Sequence, residues 1–437
     1  MVHWYPRKPS TLEEAKLKSF FIRDSILKIL HIMGVTRGIE FSETLKLPFD
    51  LVEPEIRHLL TNHLIGPVGG AGIGGSNGVD FGLTKEGREQ AHSIYQRRPH
   101  FGPAPIDAGD YHASVTKQRL QTRGIRRQHL DWAFQGVTIA PGYLEKLGPA
   151  LNSGGPIFVY GNPGNGKTTL AEKMTKLFRQ PIFVPHCIQV DGQIIQFYDE
   201  KVHRPFPIAQ LPPDHPAKED PKMIDARWVC VHRPFIIVGG ELTLEMLDLI
   251  YHDGQDSYEA PFQLKSNLGI LLVDDFGRQI VKPKDFLNRW IFPLEKHVDF
   301  LTFENGKKIE VPFDQLLIFS TNLHPKDLAD EAFWRRIKYK IEIPNPTEEI
   351  FATIFRAACE KSKLVFSQAT YEYLINKYYR ASGREFRAVH PRDLVNHMRD
   401  HIAYNQLDSV ISTSLIDSVC QLYFGAVDPR VNEAWNA

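Results

Sequence analysis

Gly161-Asn162-Pro163-Gly164-Asn165-Gly166-Lys167-Thr168 fits the pattern G-x-x-x-x-G-K-[ST], and it stands directly after the apolar run Ile157-Phe158-Val159-Tyr160. The spacing predicts a buried strand that opens into a glycine loop and then a helix through Thr169, Leu170, Ala171 and Met174. Glycines at these places let successive backbone N–H groups turn inward around phosphate oxygens, and the helix dipole adds to the attraction. Lys167 is placed to reach β- and γ-phosphates and the Thr168 hydroxyl to ligate Mg²⁺, so the chain is expected to bind ATP or GTP through 161–169.

The other bulk features bound the problem without naming a task. With 437 residues, 42% apolar and 24% charged, the chain is long enough for two or three domains. Its 52 basic residues balance 52 acidic ones, so overall charge favours no polyanionic partner. There is no apolar run of about eighteen residues. The opening Met1-Val-His-Trp-Tyr-Pro6 lacks the layout of a signal peptide, so a cytoplasmic protein with no membrane contact is expected. Cys187, Cys230, Cys359 and Cys420 are scattered and form no paired motif, which predicts reduced, buried thiols and no zinc site.

Before the loop, residues 17–33 carry apolar side chains at helical spacing up to Gly34, and two further helices are expected over 41–47 and 51–64, separated by Pro48. A glycine-rich loop over 66–78 and a strand from Val79 to Thr84 complete a segment, 12–96, that resembles a winged-helix domain. Its third helix carries Glu53 and Glu55 beside only Arg57 and His58, a poor set for reading a DNA groove, which favours docking to protein. Residues 97–130 read as a linker with prolines and a basic run, Lys117, Arg119, Arg123, Arg126 and Arg127. Such a run suits nucleic acid, an acidic partner, or simply solvent.

Strands and helices alternate over 131–345, which predicts an α/β parallel sheet. Ile182 to Val190 reads as one strand, Asp191-Gly192 as a hairpin turn, and Leu242 to Ile250 as a helix capped by Glu241. Residues 346–424 read as wholly helical, a compact lid.

Within this frame, Ile270-Leu-Leu-Val273 ends in Asp274-Asp275, placing one carboxylate to support Mg²⁺ and the next to polarise an attacking water. Leu316 to Thr321 is a second apolar strand, tipped by Asn322, which could reach that water and the γ-phosphate. Arg335-Arg336 follow Ala332-Phe333-Trp334, and their guanidinium forks suit charge spread over phosphoryl oxygens. His390-Pro391-Arg392 sets a last arginine at the start of a lid helix.

These five pieces in this order, over about residues 131–424, resemble an AAA+ ATPase: Walker A, Walker B, sensor 1, arginine finger and sensor 2. The resemblance implies an α/β P-loop fold with a C-terminal helical lid and Lys167 and Thr168 on ATP and Mg²⁺. It further implies Asp274 on Mg²⁺, Asp275 activating water, Asn322 as sensor 1 and Arg392 as sensor 2. Arg335 or Arg336, or both, would reach the ATP of a neighbouring subunit in a homo-oligomeric ring, commonly a hexamer. Pro293 to Val298 reads as a helix end, and Phe300 to Val311, read as two strands joined by Asn305-Gly306, is similar to the pre-sensor-1 hairpin of MoxR-type chaperone ATPases and enhancer-binding activators. The Gly-Ala-Phe-Thr-Gly-Ala loop of the activators is absent.

Asp275 stands where that family usually has Glu, and a misplacement of about 1 Å can cost on the order of a hundredfold in rate, so slow hydrolysis is an expectation too. Glu241 is a reserve candidate base. The reading is a remodeller of a protein partner, with 191–198, 251–262 and the 305–306 tip as levers and Phe197, Tyr258 and Phe262 as possible grips. The alternatives are a DNA-associated ATPase, such as a loader or transposition helper, and a non-hydrolysing nucleotide-gated binding module.

Overall fold

A computed structural model describes residues 4–69, 76–328 and 334–425. Its central feature is a five-stranded sheet with the order Phe235–Val238, Ile270–Val273, Leu316–Thr321, Ile157–Tyr160 and Tyr339–Glu342. Leu316–Thr321 and Tyr339–Glu342 both run parallel to Ile157–Tyr160, in registers Phe319 to Phe158 and Lys340 to Phe158. The near-continuous apolar runs, buried along 270–273 and 316–321, are what a sheet covered on both faces demands. The fold is therefore α/β with a parallel sheet, followed by a C-terminal helical region.

Contacts divide the chain into two units, each assembled from separate stretches. The first comprises Met1–Gln121, Phe178–Leu271 and Asn288–Leu316. It begins with helices Ser19–Met33, Gly38–Leu45 and Phe49–Thr61 and an antiparallel sheet in which Asp80–Leu83 lies between Thr36–Arg37 and Ile65–Pro67. Ile22, Ile26, Leu30, Phe41, Val52, Ile56 and Phe81 form its core. The second helix starts earlier than its apolar spacing suggests: the Arg37 N–H at its N-cap donates to Glu40 Oε2 at 3.0 Å, and a Cβ on Gly38 would lie 2.1 Å from the Ser76 carbonyl oxygen. Lys46, at φ 56°, ends that helix, and Pro48 precedes the next one.

Elsewhere in this unit a five-stranded mixed sheet runs Ile250–His252, Ser257–Glu259, Gln193–Gln196, Cys187–Val190 and Ile106–Asp107. The strand expected over Ile182 to Val190 is in fact two, Ile182–Pro185 and Cys187–Val190. They break at His186, whose N–H bonds to the Arg227 carbonyl while its own carbonyl accepts from Phe197 and Tyr198. Asp191 and Gly192, at φ 50° and 82°, form the hairpin turn that pairs Val190 with Gln193. No helix spans 242–250: the chain makes a short turn over Glu245–Leu247 and then the strand Ile250–His252. Val298–Thr302 and Lys308–Pro312 pair antiparallel around Asn305-Gly306. Phe197 and Tyr258, at 1% and 4% exposure, are core residues and not surface grips.

The second unit comprises Thr122–Leu177, Leu272–Leu287 and Leu317–Ala437. Its helical region holds Glu348–Ser362, Gln368–Ile375, a π-turn over Asn376–Arg380, Val389–Asn405 and Thr413–Gly425. These close around Phe351, Phe355, Leu374, Tyr379, Leu394, Met398 and Ile416. All four cysteines are buried free thiols. Among the described residues no helix is long and apolar enough to cross a membrane, and no His, Cys, Asp and Glu cluster could hold a metal ion by itself.

Candidate nucleotide-binding site

Strand Ile157–Tyr160 delivers the chain into 161–166, and helix Lys167–Met174 leaves from Gly166. Gly161, Gly164 and Gly166 adopt φ of 149°, 82° and 81°. Two of them are also demanded by space. A Cβ on Gly161 would lie 2.3 Å from the Ile343 carbonyl oxygen, and one on Gly164 would lie 2.5 Å from Val389 Cγ1. The loop is further pinned by side-chain amides: Asn165 donates to Asn345 Oδ1 at 2.8 Å and accepts the Ala388 N–H, while Asn162 donates to Asn345 at 3.1 Å. Asn345 in turn donates to Glu385 at 3.0 Å.

Lys167, 8% exposed, donates to the Gly161 carbonyl at 2.9 Å, the Asn162 carbonyl at 3.1 Å and Asn322 Oδ1 at 2.6 Å. Burial pulls its ammonium pKa below the usual lysine value, against the opposing pull of Asp274 and Asp275. The Thr168 hydroxyl donates to Asp274 Oδ2 at 2.7 Å. Asp274 Oδ1 accepts the Asp275 N–H at 3.0 Å, and Asp275 itself stands at φ 47°. A short polar side chain tolerates that left-handed backbone better than a longer one. Asn322 then donates its amide to Asp275 Oδ1 at 2.9 Å. All of these side chains meet at the ends of three adjacent strands.

They open on a cavity of about 900 Å³. Pro163 to Thr169, Asp274, Asp275, Asn322 and Arg392 line it, so most residues singled out from sequence share one space. Gly161 and Asn162 are outside the lining and act through their carbonyls on Lys167. Arg335 and Arg336 do not line it either; Ala332 and Phe333 lie outside the described residues. Next to them, Trp334 packs edge-on against Phe158 with ring centroids 4.7 Å apart. Glu241 takes the Gly239 N–H at 3.1 Å and is not in the lining.

Sequence reading missed several wall residues. Arg278 adds a cation to the acidic side; outside the lining, Gln279 bridges the turn by accepting the Gly277 N–H and donating to the Asp274 carbonyl. Val137, Ile139, Tyr143, Ile350 and Ile354 supply apolar wall. Only Arg278 stood next to a recognised motif; the others follow no local pattern. The donor set fits a nucleotide and Mg²⁺: Lys167 lines the cavity beside the glycine loop, and the Thr168 hydroxyl and the Asp274 carboxylate bring hard oxygens together.

The parallel pairing around Ile157–Tyr160, the phosphate loop feeding a helix, the acid pair and amide on neighbouring strands, and the trailing helices make an α/β fold of the P-loop type with a C-terminal helical region. A family model described as a domain of unknown function, DUF8689, matches residues 347–422, within the helical region. No curated protein matches the chain. Among solved structures it is similar to a variant of Thermotoga maritima RuvB, at 13% identity over 64% of this chain and 69% of that one, with a TM-score of 0.38. NtrX from Brucella abortus is similar at 14% identity over 75% of this chain and 65% of that one, also with a TM-score of 0.38.

Proposed function

We propose that the chain is a ring-forming ATPase of the AAA+ type that couples hydrolysis of ATP to the remodelling of a protein partner. The observation that supports it is the connected set Thr168–Asp274–Asp275–Asn322–Lys167, joined side chain to side chain except at Asp275, whose backbone N–H donates to the Asp274 carboxylate. Lys167 and the loop amides would hold the triphosphate, and Thr168 and Asp274 would hold Mg²⁺. The ion, when bound with ATP, supplies neutralisation of charge on the phosphate oxygens. Asp275 accepts the proton of the attacking water, with Asn322 fixing its carboxylate. Arg392 faces the same cavity as a sensor of its contents.

On this reading Arg335 and Arg336 serve the site of an adjoining protomer, as in a hexamer, in the cytoplasm. The 298–312 hairpin supports a MoxR-like kinship. The order of helices and strands in the N-terminal segment supports a winged-helix kinship, and its third helix supports docking to protein over DNA. There Arg57 pairs with Glu53 at 3.0 Å, and Arg23 pairs with Glu55 at 3.3 Å. The basic run is partly neutralised too, since Arg119 pairs with Asp314 and Arg127 with Asp131. Lys117, Arg123 and Arg126 stay exposed, which keeps a DNA-associated ATPase as the second reading.

Steady-state ATPase assays test the proposal. Turnover that is lost in Lys167→Ala and in Asp275→Asn supports it, and absence of turnover in the unmutated chain leaves only a nucleotide-gated binding module. A partner protein retained by ATP-trapped Asp275→Asn supports remodelling. Salt-sensitive retention of duplex DNA instead supports the second reading.

A further inference from the structure

The turn after the acid pair is held on several sides. The Phe276 N–H donates to the Ser320 carbonyl at 2.7 Å, and the Thr321 hydroxyl donates to the Phe276 carbonyl at 2.5 Å. The Arg278 N–H donates to the Asp275 carbonyl at 3.0 Å, while Gln279 accepts from Gly277 at 2.7 Å and donates to the Asp274 carbonyl at 2.9 Å. Gly277 stands at φ 101°, where a Cβ would lie 2.5 Å from Leu328 Cδ2 and 2.9 Å from Leu323 Cδ1. The turn is thus stitched to the strand that leads into Asn322 and presses on the segment beyond it. What it presents to the nucleotide cavity is Arg278, an exposed side chain that lines the same space as Lys167, Asp275 and Asn322. Among the described residues its guanidinium has no ion pair and no hydrogen bond.

Two carboxylates stand beside this guanidinium without bonding to it, because their oxygens serve elsewhere. Asp274 accepts from the Thr168 hydroxyl and the Asp275 N–H, and Asp275 Oδ1 accepts from Asn322. The other cations of the lining are placed differently. Arg392 bonds to Asp393 at 3.2 Å, Lys361 lies on helix Glu348–Ser362 with Ile350 and Ile354, and Lys173 is in the last turn of the helix that leaves the loop. Arg278 is near enough to Lys167 to add, after burial, to the lowering of that ammonium's pKa. A terminal phosphate seated on Lys167 meets two like charges in Asp274 and Asp275, and a fork of N–H donors left free by those acids offsets them. We propose, on the ATPase reading above, that Arg278 grips the γ-phosphate of the ATP held by its own chain and takes up charge that develops there in hydrolysis. In that step the water oxygen bonds to the γ-phosphorus as the bond to the β,γ-bridging oxygen breaks. The water's proton passes to Asp275, and ADP and phosphate are the products.

Calorimetric titration of the full chain with ADP and with the non-hydrolysable β,γ-imido analogue of ATP, both with Mg²⁺, tests the assignment beside steady-state turnover of ATP. Arg278→Ala should weaken the analogue by about tenfold or more and leave ADP within about twofold, because ADP lacks the group that Arg278 holds. Its kcat should fall by about a hundredfold or more. Arg278→Lys keeps the charge without the fork, so it should show the same pattern in smaller measure, and it decides the matter if the alanine variant does not fold. Equal weakening of both nucleotides, or an unchanged preference for the analogue in both variants, overturns the assignment. If the unmutated chain binds the analogue but does not turn ATP over, the ATPase reading fails alone, and the ratio of the two affinities still decides whether Arg278 holds the phosphate. Binding of neither nucleotide overturns both.

Discussion

Asn322 holds Asp275: its side-chain amide donates to Asp275 Oδ1 at 2.9 Å, while its oxygen accepts from Lys167. One amide thus orients both the candidate base and the phosphate-binding cation. Asn322→Ala should lower kcat by about a hundredfold, the scale of losing one aligned polar group, and weaken ATP binding through Lys167 by a clearly smaller factor. Stopped-flow binding beside steady-state turnover separates the two, and an equal loss in both would contradict the orienting role.

Asp275→Asn should abolish turnover and leave ATP bound, since the amide cannot take a proton. Asp275→Glu has a different cost. The residue stands at φ 47°, and a longer side chain there should destabilise the fold by on the order of 1 kcal/mol. Thermal unfolding of the two variants, compared with turnover, distinguishes a chemical effect from a backbone one.

The loop glycines should differ sharply among themselves. Gly161→Ala drives a methyl into the Ile343 carbonyl and should cost more than about 2 kcal/mol. Gly166→Ala meets nothing within 4 Å and bears only the strain of φ 81°, about 1 kcal/mol. Gly164→Ala presses on Val389, three residues before Arg392, and should weaken nucleotide affinity more than stability. Thermal midpoints and calorimetric titration with ATP rank the three.

Much of this site was legible in the chain, because each part ends an apolar strand with a polar tip. The loop, Asp274-Asp275 and Asn322 all meet as their order implied. The apolar wall was not legible, since Val137, Tyr143 and Ile354 come from separate helices and loops with no shared spacing. The split at His186 was hidden as well, because Ile182 to Val190 alternates no differently on either side of it. What breaks it is the backbone bond to Arg227, some forty residues on. The 242–250 stretch misled through its helical apolar spacing, and tertiary context turned it into a turn and an edge strand.

Lys28, buried in the first unit, carries a prediction about stability against pH. Burial pushes its pKa down from 10.5 to about 8. Between those values the unfolded chain binds more protons than the folded one, so stability should rise as pH climbs from about 8 towards 10.5. Below about 8 the cost of the buried charge is present in full. Lys28→Met should therefore raise the thermal midpoint at neutral pH and flatten its rise across this alkaline window. A lower midpoint for the variant would show the ammonium to be a net stabiliser.

Phe158 deserves a last consequence. Its ring touches Phe276, Phe319 and Trp334, neighbours of the acid pair, of Asn322 and of the paired arginines respectively. A single aromatic hinge pin thus joins four stretches that are far apart in the chain. Any tilt of the strand bearing the phosphate loop has to be shared by the arginine segment, which makes Phe158→Leu a way to loosen the coupling between those two stretches while every polar group stays in place.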